Sequence, residues 1–333
     1  EPSDPDQLVS ETILVTGAAG FVGSHLLRLL SGRHTSSTLV AWRRPQTQGG
    51  SADTGAGPTP GDGRVRWADV DLLDARTVSQ AITEIKPTQV YHCAGVASVG
   101  DSWSNSYATL RTNVLGTEHL LAALRDHAPE ARTLIPGSAL VYKPSDTAID
   151  ETGALGPVSP YGLSKLAQEL VGLAAARQDG LAVLVTRSFT HVGPGQSLGF
   201  AASSFAHQIA RIEAGQASPV LSVGNLESKR DLTDVRDTVR AYHLLMSAGI
   251  PATPYNVCTG TAHRTGAVLD GLIACAAVDV TVQQAPGRMR PSDNPLLLGD
   301  PSRLKRAVGW EPEIPLEATL SGLLDYWRAA ITG

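Results

Sequence analysis

Tyr161 and Lys165 stand four residues apart in SPYGLSKL, residues 159 to 166. On a helix that spacing puts both side chains on one face. A free phenol has a pKa near 10, too high to exchange a proton readily at neutral pH. A cation one turn away stabilises the phenolate and is expected to lower that value. Ser138, in PGSALVY, ends an apolar run that reads as a strand. Active sites of parallel sheets form at strand ends, where a hydroxyl can polarise a substrate oxygen. A Tyr–Lys pair by itself is more often a solvated helix face. With Ser138, and with Pro160 suited to a helix start, the pair points to proton transfer at a reacting oxygen.

TGAAGFVG places Gly17, Gly20 and Gly23 between a short apolar strand and a helical pattern. Glycines there allow a tight turn, close approach of a pyrophosphate and contact of helix with strand. The helix start adds free N–H groups and positive potential. The alternative is a glycine-rich turn that binds nothing. The first gap is one residue longer than in GxGxxG. About 20 residues on, where an acid would take the ribose 2′-hydroxyl of NAD, stands WRRP, with Arg43 and Arg44. Guanidinium groups suit a 2′-phosphate. The expected cofactor is NADP(H), with NAD(H) as the alternative; the simpler explanation of the pair is two ordinary surface arginines opening a mobile loop.

Around these residues, apolar strand-like runs alternate with helical ones. TILVTGA, STLVAW, VRWADVD, TQVYHCAG, RTLIPGSA and LAVLVTRSF read as strands. Helical patterns follow several of them: HLLRLLSG, VSQAITEI, residues 109–127 and residues 161–178. Apolar rather than alternating strands imply a parallel sheet covered on both faces. The expected fold is α/β, a Rossmann-like doubly wound sheet over 11–190, with RDLTDVRDTVRAYHLLMSAG and PYNVCTG, near 230–260, returning to it. Residues 191–229 and 261–333 are expected to form a smaller mixed lobe that binds substrate. Residues 1–10 read as a tail. The segment 45–63, rich in Gly, Pro, Thr and Ser, reads as a mobile loop.

The 333 residues carry a net charge of −5, so no basic surface calls for nucleic acid. Cys93, Cys258 and Cys275 are scattered and odd in number, which suggests neither a disulfide framework nor a metal site. A reducing, cytoplasmic setting is expected. The polar start is unlike a secretory signal, and no apolar run reaches about 18 residues, so no membrane span is expected.

TGAAGFVG, DLLD, HCAG, NVLGT, Ser138, YGLSK, GPGQ and RDLTDVRD together resemble the extended short-chain dehydrogenase/reductases that act on nucleotide sugars, over nearly the whole chain. HVGPGQSLGF, VGNLESKRDLTDVRD, RPSDNPLLLGD and LKRAVGWEPEIPLEATL carry a closer likeness to the members that reduce GDP-linked 4-keto-6-deoxymannose. The resemblance implies that Ser138, Tyr161 and Lys165 are the catalytic trio. It implies that Gly17, Gly20, Phe21, Val22, Gly23 and Arg43 line the cofactor, with Asp71, Leu72, Ala94, Gly95, Asn113, Phe189 and His191. Asn225, Arg230, Arg290 and Asp293 would hold the nucleotide of the substrate. For Arg230 and Arg290 the alternative is surface ion pairing, and for His191 a structural hydrogen bond. Thr190 stands where the family usually has Asn, beside the expected diphosphate. Ala139, Leu140 and Val141 follow Ser138 where dehydratases carry acids. The resemblance also implies a homodimer paired through the helices at 109–127 and 161–178.

The expected activity is NADPH-dependent reduction of a nucleotide-linked, GDP-linked 4-keto-6-deoxyhexose, with Tyr161 as proton donor. The alternative is an NAD-dependent nucleotide-sugar 4-epimerase. A cofactor-sensing regulator without turnover would have no need of Ser138, Tyr161 and Lys165 together.

Overall fold

The computed structural model describes residues 11–45, 64–285 and 294–332. Arg290, Asp293, the 1–10 tail and nearly all of the 45–63 loop lie outside the described residues. The chain begins with β1 (Thr12–Thr16), α1 (Phe21–Arg33), β2 (Thr38–Arg43), β3 (Val65–Asp69), α2 (Ala75–Ile85) and β4 (Gln89–His92). Next come α3 (Val99–Ser104), α4 (Ser106–Leu110), a π-helical turn (Arg111–Leu115) and α5 (Gly116–His127). Then follow β5 (Arg132–Ser138), a 3₁₀ turn (Ala139–Val141), α6 (Pro160–Gln178), β6 (Val183–Ser188) and β7 (Thr190–Val192). The remainder is α7 (Ala201–Glu213), β8 (Val220–Val223), β9 (Lys229–Asp234), α8 (Val235–Ala248), β10 (Pro254–Val257) and β11 (Ala262–Arg264). It closes with α9 (Thr265–Ala274), β12 (Thr281–Gln284), β13 (Leu296–Leu297), α10 (Ser302–Val308) and α11 (Leu316–Thr332).

Seven strands form one sheet in the order β10-β6-β5-β4-β1-β2-β3. Every pairing in it is parallel. Helices cover both faces, which is why Ile13, Leu14, Val15, Leu134, Val183 and Leu184 can all be buried completely. The strand order reverses between β1 and β4. A crevice therefore opens at their carboxyl ends, where doubly wound folds bind ligands. The rest of the chain builds a four-stranded sheet (β11-β9-β13, with β7 on β9) and a two-stranded one (β12-β8). Phe205, Ile209, Leu269, Leu272, Leu323 and Leu324 pack α7, α9 and α11 into a second core. Within 229–257, β9 belongs to the smaller sheet. By contrast, α8 buries Tyr242, Leu245 and Met246 in the main core, and β10 is the outermost strand of the main sheet. Among the described residues, no helix is long and apolar enough to cross a membrane.

One expected helix is interrupted. Residues 109–127 form α4, the π-turn and α5 rather than a single helix. The wider turn carries Asn113, whose carbonyl accepts from the Thr117 hydroxyl at 2.7 Å. Such insertions occur often at functional sites because they redirect one side chain.

The helix that carries Tyr161 and Lys165 is fixed at both ends and along its length. Ser159 caps it, accepting from the Gly162 N–H, and Pro160 starts its first turn. Midway, a side chain at Gly172 would lie 2.8 Å from Ile135 Cδ1, so the absence of one lets α6 lie close on β5. Glu169 and Arg187 form a buried two-pronged ion pair, at 2.6 and 3.0 Å, between α6 and β6. Arg187 also donates to the Tyr142 hydroxyl and the Glu151 carbonyl. Removing one partner strands the other charge in a dry site, at a cost of about 3–5 kcal/mol. Glu169→Ala is therefore expected to lose about that much in urea unfolding, and Glu169→Leu with Arg187→Met far less. Equal losses in the two proteins would show that the pair is not an isolated buried charge couple.

Candidate active site

The turn after β1 needs glycine at two positions for physical reasons. Gly17 has φ +64°, and a Cβ there would meet the Ala94 backbone at 2.6 Å. A Cβ on Gly23 would lie 2.2 Å from the Gly17 carbonyl. Together they let the turn nest against the end of β4 and let α1 begin directly above it. Gly20 is the N-cap of α1 and supplies no side-chain cap, so the first-turn amides of Phe21, Val22 and Gly23 open toward the crevice. This is an anion cradle that suits a pyrophosphate. The Phe21 ring stacks on His191, centroids 5.8 Å apart. Burial pushes the His191 imidazole down to about 4, so it is neutral at pH 7. Phe189 beside it is buried.

Arg43 ends β2 and is half-exposed; Arg44 follows it on the surface. The parallel register sets Arg43 opposite Asp69, and Arg43 Nε donates to the Asp69 carboxylate at 2.6 Å. Its guanidinium also lies 5.8 Å from the centre of the Trp67 ring. Sequence counting found no acid near Arg43, because Asp69 reaches it only through the sheet. Asp71 accepts from the Leu73 N–H, and buried Leu72 packs on Gly116.

At the next strand end, the Asn113 amide grips Val96 from both sides. Its Oδ1 accepts from the Val96 N–H at 2.7 Å, and its Nδ2 donates to the Val96 carbonyl at 3.1 Å and to Ser164 Oγ at 2.9 Å. This holds the Ala94–Gly95 backbone over the crevice. A Cβ on Gly95 would lie 2.8 Å from Asn113 Oδ1 and 4.0 Å from Lys165 Nζ.

Ser138, Tyr161 and Lys165 come together at the carboxyl end of β5, all nearly buried. Lys165 Nζ donates to the Pro136 carbonyl at 2.9 Å and to Gln168 Oε1 at 2.7 Å. Ser138 Oγ accepts from the Leu140 N–H, and the Tyr161 N–H donates to Ser102 Oγ. Desolvation brings the Lys165 ammonium down to about 8. The expected lowering of the phenol is corrected here. Burial pushes Tyr161 up to about 12, with hydrogen bonding to Ser138 acting in the opposite sense. Lys165 is turned to its two carbonyl partners. At pH 7 the cluster therefore combines a protonated phenol, a mostly charged lysine and an oriented hydroxyl. It can donate one proton to an oxygen placed between Ser138 and Tyr161.

Of the residues expected to hold substrate, Thr190 and Arg230 lie on the second sheet and Asn225 in the connection from β8 to β9. Thr190 sits in β7 opposite Leu232. Asn225 Oδ1 accepts from the Glu227 N–H. Arg230, in β9, donates to the Lys229 carbonyl. Lys143, Asp146, Asp150, Glu227, Lys229 and Leu296 line a cleft beside this segment. Sequence reasoning gave no role to Gln168, which contacts Lys165, or to Thr117, His92 and Thr16, which follow it in a chain of hydrogen bonds; the signals were the place of Gln168 three residues after Lys165 and of Thr16, His92 and Thr117 within TGAAGFVG, HCAG and NVLGT.

A family model described as GDP-mannose 4,6 dehydratase matches residues 14–322. GDP-6-deoxy-D-mannose reductase of Pseudomonas aeruginosa is 33% identical over 326 residues, 97% of this chain and 99% of that protein. The structure of RMD from Pseudomonas aeruginosa complexed with NADPH superposes with a TM-score of 0.81 at 32% identity, covering 96% of this chain and 100% of that one. UDP-glucose 4-epimerase of Thermus thermophilus, complexed with NAD, superposes at 0.82 with 28% identity, covering 96% and 99%.

Proposed function

The chain belongs to the GDP-mannose 4,6 dehydratase family, within the extended short-chain dehydrogenase/reductases, and from that membership we propose that it is an NADPH-dependent reductase of a GDP-linked 4-keto-6-deoxyhexose. The observation that carries the proposal is the stretch after Ser138. A 4,6-dehydration needs a base at C5 and an acid at C6, close to the sugar. Here Ala139, Leu140 and Val141 occupy the 3₁₀ turn that follows Ser138, and none can carry a proton. Of the acids that follow, Asp146 is exposed at the cleft beside the second sheet, and the next two are held by other partners. Asp150 accepts from Thr152 through both its N–H and its hydroxyl. Glu151 is buried, accepting from the Asn256 N–H and facing Arg303 at 3.4 Å.

Reduction asks less of the protein. The nicotinamide, when bound, supplies the hydride for the C4 carbonyl carbon. Gly17, Gly20 and the first turn of α1 hold the pyrophosphate, and Arg43 and Arg44 the 2′-phosphate. Asp71, Leu72, Ala94, Gly95, Asn113, Phe189 and His191 would line the rest of the cofactor. Ser138 orients the keto oxygen. Tyr161 gives that oxygen its proton as negative charge develops there. Lys165 would offer its remaining N–H to the ribose of the cofactor. Thr190, Asn225, Arg230, Arg290 and Asp293 hold the sugar nucleotide. A nucleotide-sugar 4-epimerase is the second reading, favoured only by the epimerase likeness.

A second copy of the chain is proposed to cover the face formed by α4, the π-turn and α6. Tyr107 is 73% exposed there, with Leu163 and Leu170 seven residues apart on α6 at 49% and 54%. Tyr107, Leu110, Val114 and Val171 line an apolar groove edged by Arg111 and Glu118. A two-fold axis would set each of these charges against its opposite. Leu170→Glu is expected to turn a dimer into a monomer by light scattering. A parent protein that is monomeric at tens of micromolar contradicts the proposal.

For the cofactor, Arg43→Ala with Arg44→Ala is expected to weaken NADPH by about tenfold or more per lost bond, and NADH little. Fluorescence titration reads both constants; a parent protein that binds the two equally well contradicts the assignment.

For the reaction, the protein is expected to oxidise NADPH with GDP-4-keto-6-deoxymannose and to remove no water from GDP-mannose supplied with NADP. Turnover should fall as pH rises through about 8, as Lys165 loses its proton. Tyr161→Phe should keep substrate affinity and lose about 10²–10⁴ in turnover. Robust water loss by mass spectrometry, or near-parental turnover of Y161F, contradicts the mechanism.

A further inference from the structure

Lys165 is held by a buried chain of hydrogen bonds whose every direction can be assigned. Lys165 Nζ donates to Gln168 Oε1 at 2.7 Å, and Gln168 Nε2 donates to Thr117 Oγ1 at 2.7 Å. The opposite amide orientation would turn an NH₂ group against the ammonium. Thr117 gives its one proton to the Asn113 carbonyl at 2.7 Å, so it can only accept from its two other partners. His92, 2.9 Å away through Nε2, must therefore donate to it. That fixes the Nε2–H tautomer and leaves Nδ1 to accept from Thr16 Oγ1 at 2.8 Å. Thr16 Oγ1 in turn accepts from the Ala94 N–H at 3.2 Å. Thr16, Thr117 and Gln168 are fully buried and His92 nearly so. Both lone pairs and the proton of Thr117 are used, so Gln168 has one satisfied orientation.

We infer that Gln168 is a positioning residue, fixing the Lys165 ammonium against the Pro136 carbonyl and tying it through Thr117 and His92 to Thr16, the residue before the glycine turn. The inference rests on the proposed role of Lys165. With two protons held by Pro136 and Gln168, the third N–H is left for the side where Gly95 lines the crevice. The titratable groups around the ammonium are His92 at the end of β4 and Cys93 just after it, His191 from β7 and Tyr161 from its own helix. Burial holds His92 down to about 3 and Cys93 up to about 12, so both stay neutral across the working range. The amide oxygen of Gln168 is thus a main support of the charged lysine. Removing it lowers the lysine pKa, and replacing it by a carboxylate raises it.

The test compares Gln168→Leu, Gln168→Glu and Lys165→Met with the parent, using NADPH and GDP-4-keto-6-deoxymannose. Q168L is expected to lose about 10- to 100-fold in kcat through a misplaced ammonium, with KM for the sugar near the parental value. Its basic pH limb should move to lower pH. Q168E should move that limb up by about one to three pH units and recover part of kcat. The pH dependence of the NADPH dissociation constant, read by fluorescence, should shift in the same directions without turnover. A limb that stays in place in both variants, with only the melting temperature changed, overturns the inference. Should Q168L fail to fold, the direction of the shift in Q168E decides alone. Parental turnover in K165M refutes the role of Lys165 itself, an outcome distinct from any result at Gln168.

Discussion

An ammonium group held almost out of water, within 3 Å of two carbonyl oxygens, is the interaction on which the site depends. Desolvating a charge is costly unless its protons are satisfied. Lys165 meets that condition with the Pro136 carbonyl on β5 and the Gln168 amide on its own helix. Both acceptors lie on the protein side of the group, which leaves its open side to the crevice. The close seat of α6 on β5 at Gly172 and the Glu169–Arg187 pair keep these distances short. Burial that brings the lysine near neutrality also keeps the neighbouring phenol protonated, the state a proton donor needs.

The same economy governs the turn at Gly17. Its backbone touches Ala94 so closely that no side chain fits. Asn113, carried inward by the π-turn, holds the backbone just beyond. The carboxyl ends of β1, β4 and β5 thereby form one rigid rim. The polar atoms behind that rim are joined from Thr16 to Lys165, so the anion cradle and the proton-transfer group share one buried scaffold.

Much of this was legible in the sequence because it depends on local pattern. The apolar runs and the helical periods each report on a few adjacent residues, and they marked the parallel sheet. Gly17, Gly20 and Gly23 could be read because a turn between strand and helix restricts backbone conformation directly. What escaped depends on partners distant in the chain. Asp69 meets Arg43 only through strand register, across 26 residues. Asn113 sits in a wider turn that helical periodicity hides. The direction of the Tyr161 shift was misjudged because the sequence shows a lysine one turn away but neither its orientation nor the dryness around the phenol. His92 and Thr117 stand in HCAG and NVLGT, but only their geometry links them to Lys165.

The central claim is that hydride reaches C4 of the sugar and remains there. NADPH carrying deuterium at the transferable position, supplied with GDP-4-keto-6-deoxymannose, tests it directly by NMR of the sugar product. One deuterium at C4 for each NADPH consumed is the expected result. NADPH left unconsumed while a GDP-linked 4-hydroxy sugar is inverted at C4 would contradict it.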